Sequence, residues 1–120
     1  MKRTWIAFAL TAGLAACAPR GSSIPIKADT LAVIQANIKA AHDAGGDEDP
    51  RAASYLKRAR DGVAEAEVKT TQGDNAAANV LINRAGLDAE LALEVTRETK
   101  QRRNADATQA SVQDAEVVTP

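Results

Sequence analysis

Ala52, Leu56, Ala59, Val63, Ala66 and Thr70 recur at intervals of 4, 3, 4, 3 and 4. This rhythm constrains the chain more than any other feature. Side chains so spaced fall on one side of an α-helix, and the alternation of 4 and 3, seven residues for every two steps, describes a seam between two helices lying side by side. Half of the positions are alanine, so the partner helix can come close. The segment has matching ends. Asp49 can accept a hydrogen bond at the N-cap and Pro50 sits at the first helical position, where its missing N–H costs nothing. A helix is predicted from about Pro50 to Gln72, stopped by Gly73.

Asp74 is positioned to cap a third helix, predicted from Asn75 to beyond Arg102. Its seam reads Ala78, Leu81, Ala85, Asp88, Ala92 and Val95, flanked by Val80, Leu87 and Leu91. Upstream, Leu31, Ile34, Ile38 and Ala41 lie on one helical face. That first helix is predicted to start with Asp29 as its N-cap and to end at Gly45-Gly46, where a left-handed residue is allowed. Short connections between long helices make antiparallel neighbours. The expected fold class is all-α: a small three-helix antiparallel bundle or helical hairpin with long Ala-rich helices. Composition agrees. The chain has 27 alanines among 120 residues, and its aromatics are Trp5, Phe8 and Tyr55. Alanine loses no side-chain entropy in a helix, while a β-rich core would want more β-branched and aromatic residues.

The opening run, MKRTWIAFALTAGLAACAPR, reads differently. Lys2 and Arg3 form a positive start, Ile6 to Ala16 form an apolar stretch, and small residues close it. This is the pattern of a secretory signal, too short for a spanning helix of about 20 residues. Leu14, Ala15, Ala16 and Cys17 match the lipobox of bacterial lipoproteins at all four positions. The resemblance implies that the Cys17 sulfur is alkylated by a diacylglyceryl group. The chain is then cut after Ala16, and the new amine is acylated, palmitate-type chains anchoring the protein to membrane lipid. A thiol suits this step because sulfur is the strong nucleophile, and small residues let the extended backbone enter the peptidase. Each buried methylene contributes about 0.8 kcal/mol, and one chain alone holds only marginally, so two or three are needed for a durable anchor. Two other readings stay open. Ala16-Cys17-Ala18 is also an A-x-A pattern that would release a soluble protein, with Pro19 as an awkward first residue. The segment can also stay uncut. Ala18, in place of an aspartate after the cysteine, favours the outer membrane over the inner.

The expected organisation is a removed signal over 1–16, the lipidated Cys17 and a flexible tether over 17–27, a helical domain over 28–103 and a flexible tail over 104–120. The tether contains Gly, Ser and two prolines, which oppose helix. The tail has no sustained apolar period. From Cys17 onward the chain carries 13 basic and 16 acidic residues, a charge of −3 and no basic footprint for nucleic acid. A lone cysteine allows no internal disulfide, and a lone histidine beside no other soft ligand gives no metal site.

Asp88 sits on the third seam, where it either fixes register, with Arg84 as the local candidate partner, or reaches water at the seam edge. Gly62 and Gly86 share an Arg-x-Gly-aliphatic context and either permit close crossing or are tolerated at the surface at a cost of about 1 kcal/mol each. Lys57, Arg58 and Arg60 form one basic cluster. Arg97, Lys100, Arg102 and Arg103 form another, suited to a helix C-terminus or to anionic lipid or glycan. His42 fits a surface histidine near a helix end, with a pH switch as the alternative. Ser22, Ser23, Ser54 and Ser111 have no histidine at a suggestive spacing, so no catalytic residues are expected. Asp47-Glu48-Asp49 lacks the alternate-residue spacing of a calcium loop. No cofactor is expected.

The first helix ending IKAAHDAGG, the acidic turn with Pro50, the segment AASYLKRARDGVAEAE, the Gly-Asp break and RAGLDAELALE together resemble a family of bacterial envelope proteins defined only as a domain of unknown function, DUF4398. The resemblance spans about residues 28–102. It implies a secreted or lipid-anchored helical protein, sometimes fused to a peptidoglycan-binding domain, and no catalytic residues. The expectation is a non-enzymatic cell-envelope lipoprotein facing the periplasm. It would present a helical module to an envelope protein, to peptidoglycan or to a second copy. The alternative is a periplasmic ligand-binding or sensing subunit. A continuous exposed apolar stripe would favour the first, and a pocket lined by Tyr55 the second.

Overall fold

The computed structural model describes residues 24–117. It contains three helices, α1 over Ala28–Asp43, α2 over Pro50–Thr71 and α3 over Asn75–Val117. The all-α class and the helical bundle are as expected. α2 and α3 form an antiparallel hairpin, and α1 lies against the pair, mainly on α3.

The helix ends follow from local chemistry. Asp49 caps α2 by accepting a hydrogen bond from the Arg51 backbone N–H at 2.9 Å, with Pro50 behind it. Asp74 caps α3 by accepting from Ala77 N–H at 3.1 Å. The two turns are built alike. Gly45 N–H donates to His42 O and Gly46 N–H to Ala41 O; Gly73 N–H donates to Thr70 O and Asp74 N–H to Lys69 O. Each is the paired bond set of a Schellman turn, which needs a left-handed residue just past the helix. Gly45 at φ +91 and Gly73 at φ +77 supply it. α1 starts earlier than expected, its N-cap lying two residues before Asp29. Lys27 occupies the N-cap position without a side-chain bond, and its carbonyl accepts from Leu31 N–H at 3.2 Å. Asp29 lies inside the first turn, where its charge suits the positive end of the helix dipole.

The α2 seam is buried at Ala52, Leu56, Ala59, Val63 and Ala66. Thr70 is exposed and bonds back to Ala66 O at 2.9 Å. On α1, Ile34 and Ala41 are buried, with Leu31 and Ile38 packed at the edge of the core. The α3 seam departs from expectation. Ala78, Ile82, Ala85, Asp88, Ala89, Ala92 and Thr96 are buried, while Leu81 and Val95 are half-buried. An α3 that faces α1 as well as α2 needs a wider buried face than a two-helix seam, so Ile82, Ala89 and Thr96 join it. The core divides into a layer of Ile34, Ala59, Val63, Ala66, Ile82, Ala85 and Ala89 and a layer of Ala41, Leu56 and Ala92.

Two segments expected to be flexible contain described structure in part. Part of the tether is fastened: Ile24 O accepts from Asn79 Nδ2 at 2.8 Å, and Ile26 packs against the core. Residues 104–117, expected as part of the flexible tail, are helical. α3 runs on to Val117, although residues 100–117 are exposed throughout. A helix already nucleated extends at low cost, and 104–117 contains neither Gly nor Pro to stop it.

Candidate functional site

Cys17 and the lipobox residues Leu14, Ala15 and Ala16 lie outside the described residues, as do Ser22 and Ser23. Among the described residues no helix is long and apolar enough to cross a membrane.

The acidic turn is tied into the fold residue by residue. Asp47 contacts His42 Nδ1 through one oxygen and Arg60 Nη1 at 3.3 Å through the other. Glu48 meets Arg103 at 3.4 Å. Asp49, nearly buried, accepts from Thr99 Oγ1 at 2.6 Å as well as from Arg51. The Thr99 hydroxyl and the Arg51 N–H and guanidinium hold the Asp49 carboxyl at a pKa of about 2. The hydrogen bond from His42, followed by Arg60, also lowers that of Asp47. Each carboxylate of the turn thus binds a group of this chain, and among the described residues no cluster of three or more His, Cys, Asp or Glu is arranged to hold a metal. The work of the turn is to fasten the α1–α2 connection to α3.

Asp88 has a partner across the hairpin. Arg58 donates to Asp88 Oδ1 from Nη2 at 2.9 Å and from Nε at 3.2 Å. The Arg58 guanidinium also lies 4.6 Å over the Tyr55 ring. The local candidate Arg84 is not the partner, so Asp88 joins α2 to α3 instead of bracing α3 alone. Tyr55 packs against the Ala41–Leu56–Ala92 layer and carries Arg58 on its face. It therefore serves the fold.

The basic clusters are largely neutralised within the chain. Lys57 pairs with Asp61 at 2.5 Å, and Arg58 and Arg60 have the partners given above. Arg97 meets Glu94 at 3.7 Å, Arg102 meets Glu98 at 2.5 Å, and Arg103 meets Glu48. Both clusters read as solvated faces, in which every member but Lys100 has an ion pair among the described residues. Ser111 donates to Thr108 O, and His42 faces Asp47. Neither forms a nucleophile–base pair.

The sequence took Val80, Leu87 and Leu91 as flanks of a buried seam. They are exposed, at 69%, 63% and 46%. Val33 of α1 is exposed at 58% and lines the same groove as Leu87, floored by Ile34, Ile82 and Gly86. A second shallow depression continues along Leu87, Leu91, Glu94 and Arg97. The outward side of α3 therefore bears an apolar strip continuous with the edge of α1. Its signal was present in the sequence: Val80, Arg84, Leu87, Leu91, Glu94 and Glu98 repeat the 4, 3, 4, 3, 4 spacing of the α2 seam.

No family model, no curated protein and no solved structure matches this chain.

Proposed function

We propose that the chain is a non-enzymatic cell-envelope lipoprotein of the DUF4398-like kind, held to the membrane through Cys17. Its helical module would present an interaction face to the periplasm. The anchor rests on the lipobox, in which Leu14, Ala15 and Ala16 precede the lone cysteine. Ala18 favours the outer membrane. The observation that carries the interaction role is the exposed apolar strip of Val33, Leu87 and Leu91 on a chain whose polar clusters are mostly ion-paired within it. Monomers seldom leave neighbouring large apolar side chains in water without a use for them. The ligand-binding alternative needs an enclosed pocket, and Tyr55, its best candidate lining residue, is spent on packing and on Arg58.

The test is intact mass and membrane fractionation of the wild type beside Cys17→Ser. A wild-type mass equal to residues 17–120 plus acyl groups, with membrane association lost only in the variant, supports the reading. An unacylated, soluble wild type refutes the anchor.

A further inference from the structure

α3 carries two heptad seams. One faces α1 and α2. The other, Val80, Arg84, Leu87, Leu91, Glu94 and Glu98, faces outward, and all six side chains are exposed. We propose that this outer seam is the contact surface for a second copy of the chain, packed antiparallel so that Leu87 of each copy meets Leu91 of the other and Arg84 meets Glu94. This rests on the interaction role proposed above and names the partner.

Charge and register both favour this pairing. The seam is self-complementary under a two-fold axis that crosses α3 between Leu87 and Leu91, as a closed dimer requires. Its centre is the apolar pair Leu87 and Leu91, with Glu90 beside it, and its ends carry opposite charges, Arg84 toward the amino end and Glu94 and Glu98 toward the carboxyl end. Antiparallel pairing sets each Arg84 against the other copy's Glu94 and lays Val80 along the methylenes of Glu98. Parallel pairing would set Arg84 on Arg84, Glu94 on Glu94 and Glu98 on Glu98, three like-charged layers in six, which is unfavourable. The charges are available for this. Arg84 has no ion pair among the described residues, and Glu94 has only the 3.7 Å contact with Arg97 three residues on. The seam spans 19 residues, about 28 Å of helix, so the contact is at the small end of specific interfaces, and the dimer is weak and concentration-dependent. A shared membrane surface would raise its effective concentration.

The test is sedimentation equilibrium of the full chain carrying Cys17→Ser, in density-matched detergent. The wild-type sequence should pass from monomer to dimer mass as concentration rises. Arg84→Glu and Glu94→Arg should each raise the dissociation constant by about tenfold or more, because each sets like charges opposite one another twice. The double variant Arg84→Glu/Glu94→Arg should recover the dimer, since the swap restores both pairs only in the antiparallel arrangement. All these sites are exposed, so unchanged helical circular dichroism should accompany every variant. A wild type that stays monomeric overturns the proposal. So does a dimer that ignores both single substitutions, or one that the double variant fails to recover. The acylation of Cys17 is read separately from the intact mass, so failure of the dimer and failure of the anchor are distinguishable.

Discussion

Gly46→Ala should destabilise the fold although Gly46 has no positive φ. A Cβ at this position would lie 2.7 Å from Ala41 O, 2.8 Å from Thr96 Oγ1 and 3.1 Å from Leu56 Cδ1. The first neighbour is backbone and is also the acceptor of the Gly46 N–H bond at 2.8 Å. Relief therefore means opening the turn away from Ala41 O of α1 and lifting it away from Thr96 of α3, which strains the Schellman bond and the Asp49–Thr99 contact together. Overpacking of this kind costs about 1–3 kcal/mol. The alanine also restricts the unfolded chain, which returns about 0.4–1 kcal/mol. The net expectation is a loss of about 1–2 kcal/mol. With a urea slope of about 1–2 kcal/mol per molar, the midpoint falls by about 1 M. The assay is urea unfolding of the Cys17→Ser chain followed by far-ultraviolet circular dichroism, with and without the second substitution. An unchanged or raised midpoint would mean that the turn does not press on Thr96 and Leu56, and the account of how α1 is fastened to α3 would be wrong.

Four further outcomes are expected. Gly86→Ala should stabilise by about 0.5–1 kcal/mol in the same urea assay, since its Cβ meets only Ile34 carbons at 3.5 Å and the helix gains a better former. A double-mutant cycle on Arg58→Ala and Asp88→Ala should give a coupling of about 1–2 kcal/mol, discounted for the half-exposed arginine; a coupling near zero would remove the cross-helix role. The folded-state pKa of Asp49 is lowered from 3.8 to about 2. Its contribution is therefore complete above the unfolded value and is lost as pH falls through that window, so Asp49→Asn should flatten the acid limb of urea midpoints measured against pH. Brief trypsin treatment should cut first after Arg102 or Arg103, beyond the packed part of α3, and leave a stable helical fragment; early cuts at Arg58 or Arg60 would contradict the hairpin.

The legible parts of this fold were those set by local chemistry. Asp49, Pro50, Gly73 and Asp74 mark helix ends through their own backbone preferences, and the structure uses each as expected. The α2 seam was readable because most α2 positions off the seam are exposed. What depended on distant neighbours was not. The partner of Asp88 is 30 residues away, and only the hairpin register brings Arg58 to it instead of Arg84. In Gly45-Gly46 the sequence offered two glycines for one left-handed position. Gly45 takes it, and Gly46 is needed for lack of space. Leu87 and Leu91 read as flanks of the inner seam, and although their own 4-3 spacing is in the sequence, only the position of α1 leaves them facing outward. The continuation of α3 was missed because apolar periodicity reports packing, and this segment is helical without any.

The bond from Asn79 to the Ile24 carbonyl fixes where the chain enters the domain: at the amino end of its longest helix. The other end of that helix, Val117, is 38 residues further on, about 55 Å away along a rod. α3 therefore acts as a ruler. It separates the point at which the polypeptide arrives from the point its exposed tip can touch, and shortening or lengthening it by whole heptads would change that reach by about 10 Å per step without turning the outer seam away from its direction.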